Sequence, residues 1–79
     1  MAKIRIFSTP SCPYCVTLKE FFKQHGFEYE DLNVAMDAQA REEMIQKSQQ
    51  MGVPVIEIDG QIVIGFDRKK IVQLLNIKD

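Results

Sequence analysis

Residues 4 to 15 read Ile4-Arg5-Ile6-Phe7-Ser8-Thr9-Pro10-Ser11-Cys12-Pro13-Tyr14-Cys15: a short apolar run, a turn-forming cluster and a pair of cysteines two residues apart. Ile4, Ile6 and Phe7 are strand formers, and the Ser-Thr-Pro-Ser cluster stops them, so the stretch opens with a strand. Pro13 suits the first turn of a helix, and Ser11 stands where a cap is needed. Cys15, Leu18, Phe21 and Phe22 then recur at helical spacing until His25-Gly26 ends the run. The cysteines therefore sit where a strand hands over to a helix N-terminus.

Outward from that handover, Phe27, Tyr29 and Leu32 predict a second strand that ends at Asn33. Asp37 is placed to cap a helix with Ala40, Met44, Ile45 and Ser48 on one side, and Gly52 to stop it. Val53 to Ile58 and Gln61 to Ile64 flank Asp59-Gly60, a strong signal for a two-residue hairpin turn. Asp67 can cap a last helix in which Ile71, Leu74 and Leu75 point to the core. The order β-α-β-α-β-β-α predicts an α/β fold. Its mixed sheet has four strands and three helices, with a parallel first pair across a helical crossover and an antiparallel hairpin.

At 79 residues, with 46% hydrophobic and 27% charged side chains, the chain is expected to form one domain spanning 1–79. Ten Lys+Arg against eleven Asp+Glu give a formal net charge of −1 and no basic block to follow a phosphate backbone, so nucleic acid is not an expected partner. The N-terminus has no apolar run of signal-peptide type, and no stretch approaches the roughly 18 apolar residues of a membrane span. A cytoplasmic monomer is the expectation. Two cysteines this close are not the scattered set of a disulfide-stapled secreted fold, which points to chemistry at Cys12 and Cys15.

A cysteine at a helix N-terminus meets unpaired N–H groups and the positive end of the helix dipole, and in a CxxC pair its pKa can fall from about 8.5 to roughly 3.5–7.5. Cys12 is thus the candidate nucleophile. Cys15, nearly one turn on, projects from the same side and is the candidate resolving thiol. Pro13 fixes the first turn and holds the sulfurs at a set spacing, while Tyr14 points outward, either to contact a partner or as plain helix surface. Half of a zinc site is the structural alternative for the pair. Zinc usually takes four protein ligands, and His25 lies at the other end of the helix, so no metal site is expected. A CxxC beside a β-α-β pattern reads as a thioredoxin-like redox motif.

Three segments carry a family resemblance: Cys12-Pro13-Tyr14-Cys15 after the first strand, Gly52-Val53-Pro54 before the hairpin, and Ile64-Gly65-Phe66-Asp67 before the last helix. Together, over nearly the whole chain, they resemble a glutaredoxin. The resemblance implies the thioredoxin fold and a thiol-disulfide oxidoreductase that has no built-in cofactor. It implies glutathione as reductant or co-substrate and disulfide-containing proteins as substrates. It also implies a cis Val53-Pro54 bond whose exposed backbone pairs with bound peptide or glutathione, and a γ-glutamyl site at Gly65, the Phe66 backbone and Asp67. Some glutaredoxins instead hold an iron–sulfur cluster between two chains with two glutathiones, and that is the alternative function.

The motif departs from the family at two points. Ile64 stands where relatives have the first of two glycines, and Thr9 stands where many carry a basic residue. Weak glutathione use is the expected consequence, with Lys19 and Gln50 as possible substitutes; Lys19 lies about two turns from Cys12 and is expected to face solvent. The Gly65-Phe66 pair resembles the small redoxins that supply ribonucleotide reductase and take electrons from thioredoxin reductase, which makes that enzyme the other expected electron donor.

Overall fold

The computed structural model describes residues 3–77. Strand β1 (Ile4–Ser8) lies second in a four-stranded sheet of order β2-β1-β3-β4, where β2 is Glu30–Asn33, β3 Val55–Ile58 and β4 Gln61–Ile64. It runs parallel to β2, with Phe7 opposite Leu32, and antiparallel to β3, with Ile6 opposite Ile56. The β3–β4 hairpin turns on Asp59 (φ 49°) and Gly60 (φ 86°), both left-handed, as a two-residue turn that follows the twist of its strands requires.

Alternation along β1 sends Ile4 and Ile6 to one face of the sheet and Phe7 to the other. On the first face they pack with Leu18, Phe21 and Phe22 of helix α1 (Pro13–Gln24) and Ile71 of helix α3 (Arg68–Leu75). Phe7 packs on the second face with Val34, Val55, and Ala40 and Met44 of helix α2 (Ala38–Ser48). Burying a side chain such as Phe22 completely contributes about 2 kcal/mol, so these two layers on one sheet supply the driving force for the fold. Among the described residues, no helix is long and apolar enough to cross a membrane.

The element order matches the expectation, and four boundaries differ. The third strand begins at Val55 rather than Val53, because Pro54 has no amide to donate to the ladder. The second strand begins at Glu30 rather than Phe27, because the Phe27 amide is already donated to the Phe22 carbonyl at the end of α1 (2.9 Å). Phe27 and Tyr29 pack on Phe22 before the chain extends. Helix α2 stops at Gln49, left-handed at φ 60°, and not at Gly52, which lies further along in the loop toward Val53. Helix α1 is capped by Cys12 itself, since Pro13 is already its first residue; Ser11 lies one residue too early. Asp37 and Asp67 cap α2 and α3 as expected, accepting from Ala40 N–H (3.1 Å) and Lys70 N–H (3.2 Å).

Candidate active site

At the N-terminus of α1 the Cys12 sulfur accepts a hydrogen bond from the Cys15 amide at 3.2 Å, filling the place a serine or aspartate side chain takes in an ordinary cap. Negative charge on Sγ here gains that donor and the positive end of the helix dipole. Pro13 at the first helical position leaves no orphan N–H beside it. Both thiols are free. Cys15 has no exposed surface, and Tyr14 between them is 68% exposed, pointing outward as expected. Burial and the neighbouring Cys12 push the Cys15 thiol well above its ordinary range, against the opposing pull of the Thr9 amide and the Lys19 charge. The two sulfurs are thus unlike: Cys12, 9% exposed, stands at the end of a dipole, and Cys15 is sealed completely behind it.

The Val53-Pro54 peptide is cis, as the resemblance implied, with Pro54 buried and Val53 partly exposed. The Pro54 carbonyl accepts from Gly65 N–H at 2.9 Å, which ties this turn to the segment after β4. Gly65 has φ 74°, and a Cβ there would meet nothing within 4 Å, so the backbone angle alone calls for glycine. Ile64 needs no such freedom: it is the last residue of β4, paired with Val55. Phe66 packs edge-on against Phe21 at 5.7 Å, and Asp67 is engaged as the α3 cap.

Beside Thr9 and Val53 runs a groove of about 260 Å³, lined also by Val34, Arg41, Met44 and Met51. Arg41 was not among the residues singled out from the sequence. Its position in α2 carries no local motif, and only the packing of α2 against the end of β1 brings it to Thr9; a cation in the first turns of the helix after β2 was the available signal. Neither expected substitute for the missing basic residue is free for that task. The Gln50 side chain donates to the Gly52 carbonyl within its own loop (3.4 Å). Lys19 does not face solvent but pairs with Asp31 at 2.7 Å, its side chain 23% exposed. His25 ends α1, its Nδ1 hydrogen-bonded to the Phe21 carbonyl at 2.9 Å.

The chain matches the glutaredoxin family model over residues 4–63. It is 49% identical over 72 residues to a glutaredoxin-like 8.6 kDa protein of the Clostridium pasteurianum rubredoxin operon, covering 91% of this chain and 96% of that one. It superposes on a mutant of a thioredoxin-like protein with a TM-score of 0.91 and 41% identity, covering 99% and 100% of the two chains. A buckwheat glutaredoxin–glutathione complex aligns with a TM-score of 0.77 and 25% identity, over 95% of this chain and 77% of that one. With the thioredoxin fold, the CxxC helix N-terminus and these likenesses in place, the chain belongs to the glutaredoxin family of thiol-disulfide oxidoreductases.

Proposed function

We propose that this chain, acting as one domain over 1–79, reduces disulfides of proteins and of glutathione adducts through Cys12 and Cys15, with glutathione as its electron donor. The observation that carries the reading is the asymmetry of the thiols: Cys12 caps α1 with an amide at 3.2 Å, and Cys15 is sealed behind it. The Cys12 thiolate attacks a substrate disulfide, forming a mixed disulfide and expelling one thiolate. Cys15 gives up its proton and attacks the Cys12 sulfur, forming the Cys12–Cys15 disulfide and expelling the second thiolate. Two glutathiones return the pair to thiols, the first bonding to Cys12 and the second leaving with it as oxidised glutathione.

Arg41 supports glutathione as donor, because it places a guanidinium in the groove beside Thr9 and Val53, where a glycyl carboxylate would lie. That cation, in this reading, stands in for the basic residue missing at Thr9, against the expectation of weak glutathione use. In this reading the Val53 backbone next to Pro54 pairs with the bound peptide, Gly65 and the Phe66 and Asp67 backbone take the γ-glutamyl end, and Pro13 and Tyr14 face the partner. The glutathione complex of the buckwheat relative supports the same ligand.

The test is reduction of a glutathionylated protein by glutathione, with glutathione reductase and NADPH as the readout. Cys12→Ser loses all activity, since no other thiolate stands at a helix N-terminus. Cys15→Ser keeps the glutathione-dependent reaction and loses reduction of protein disulfides by the dithiol route. A Cys12→Ser variant as active as the wild type would overturn the reading.

A further inference from the structure

We infer that Lys19, held in place by Asp31 and Ser8, is a positioning residue for the resolving thiol and governs how readily Cys15 closes on the mixed disulfide at Cys12. The inference rests on the dithiol reading above. In the closing step the Cys15 S–H bond is broken and its proton passes to solvent. The Cys15 sulfur then bonds to that of Cys12, and the substrate thiolate leaves with the electron pair of the old disulfide. Whatever favours charge on the buried Cys15 sulfur therefore sets the rate of closure.

The charged groups acting on Cys15 are Cys12 from the preceding loop and Lys19 from the next turn of α1, together with the dipole of the Thr9 amide at the end of β1. Once Cys12 is bonded to substrate its sulfur is neutral, which leaves Lys19 and its partner Asp31 as the charged pair nearest Cys15 on this side of the sheet. That lysine is not a loose surface cation. Its ammonium lies 2.7 Å from Asp31 Oδ2 on β2, and the other Asp31 oxygen accepts from Ser8 Oγ at 2.7 Å. Ser8 is 2% exposed and directly precedes Thr9, so strand, edge carboxylate and helix fix the side chain of Lys19, which stands four residues after Cys15 on the same face of α1. Asp31 has a second effect of opposite sign: its negative charge offsets part of the lysine's field at the sulfur.

Stopped-flow reaction with dithiobis-nitrobenzoate separates the two steps, since attack by Cys12 releases one coloured thiolate and closure by Cys15 releases the second. The first phase is the internal reference and the pH midpoint of the second is the reading. Lys19→Met is expected to raise that midpoint by about one pH unit, which cuts the thiolate about tenfold at neutral pH. Because a more basic thiolate is about threefold more nucleophilic, closure there slows about threefold. Lys19→Arg should keep the wild-type midpoint, and Asp31→Asn should lower it, because the amide oxygen still accepts from the ammonium while the opposing charge is gone. A merely structural pair would not move the midpoint in opposite directions. A Lys19→Met midpoint equal to the wild type, or Lys19→Met and Asp31→Asn shifting the same way, would overturn the inference. Absence of the first phase from the wild type would instead overturn the dithiol reading, and this inference with it.

Discussion

Under α2 the sheet carries Arg5, whose guanidinium lies 2.6 Å from Glu43 and 2.8 Å from Glu57, with Lys47 closing the ring onto both carboxylates at 2.8 and 2.6 Å. Under α1 it carries Ser8 and Asp31, with Lys19 reaching across from the helix one turn past the buried thiol of Cys15. In the first cluster the two cations are held by carboxylates on every side: Glu43 and Glu57 bind both, Glu30 lies 3.9 Å from Arg5, and Arg5 also lies over the Phe7 ring at 5.4 Å. It draws β1, β3 and α2 together and touches neither cysteine. On the other face the lysine stands one helical turn from an ionisable group, so part of its field falls on the thiol. Similar side chains on one sheet thus hold a helix in one place and adjust a reaction in the other.

Breaking the cluster under α2 should produce the largest loss of stability. Arg5→Met leaves Glu43 and Glu57 sharing Lys47 alone, and a half-emptied ionic site of this kind costs about 3 kcal/mol. Urea unfolding of the reduced protein measures it, and a loss below about 1 kcal/mol would make the cluster incidental. The groove should respond in binding instead of stability. Arg41→Gln is expected to raise the KM for glutathione about tenfold, near the low end for an exposed charged hydrogen bond. The wild-type advantage should shrink with added salt, and Thr9→Lys should shift the KM the other way.

The smallest effect is a pH dependence. Hydrogen bonds from Arg5 and then Lys47 lower the Glu43 carboxyl from 4.5 to about 2 in the fold. A carboxyl depressed on folding stabilises the protein fully above its unfolded value, and that contribution is lost as pH falls through the folded value. The acid limb should therefore lie between about pH 4.5 and 2. Glu43→Gln should flatten that limb by about 1 kcal/mol, read from thermal melts across the window. An unchanged acid limb would separate Glu43 from the cluster's stability.

Much of this was legible in local sequence signals. Asp37 and Asp67 stand directly before their helices, and Asp59-Gly60 fixes the hairpin register through two left-handed residues. The two thiols were legible for the same reason, because a helix N-terminus and a three-residue offset are local properties. What escaped depends on elements brought together by the fold. Arg41 reaches Thr9 only because α2 crosses the end of β1, and Lys19 meets Asp31 only because β2 pairs in parallel with β1. Ser11 as the expected cap failed for a local reason: Pro13 is already the first helical residue, so the cap position falls on Cys12 and its sulfur takes the capping bond.

Brief alkylation of the fully reduced protein by iodoacetamide at neutral pH, followed by mapping of the modified cysteine by mass spectrometry, tests the central asymmetry most directly. A Cys12 sulfur at the end of the helix and a Cys15 sulfur with no exposed surface predict a single adduct, on Cys12, with Cys15 modified only after unfolding. Modification of Cys15 as fast as Cys12 in the folded protein would contradict the account.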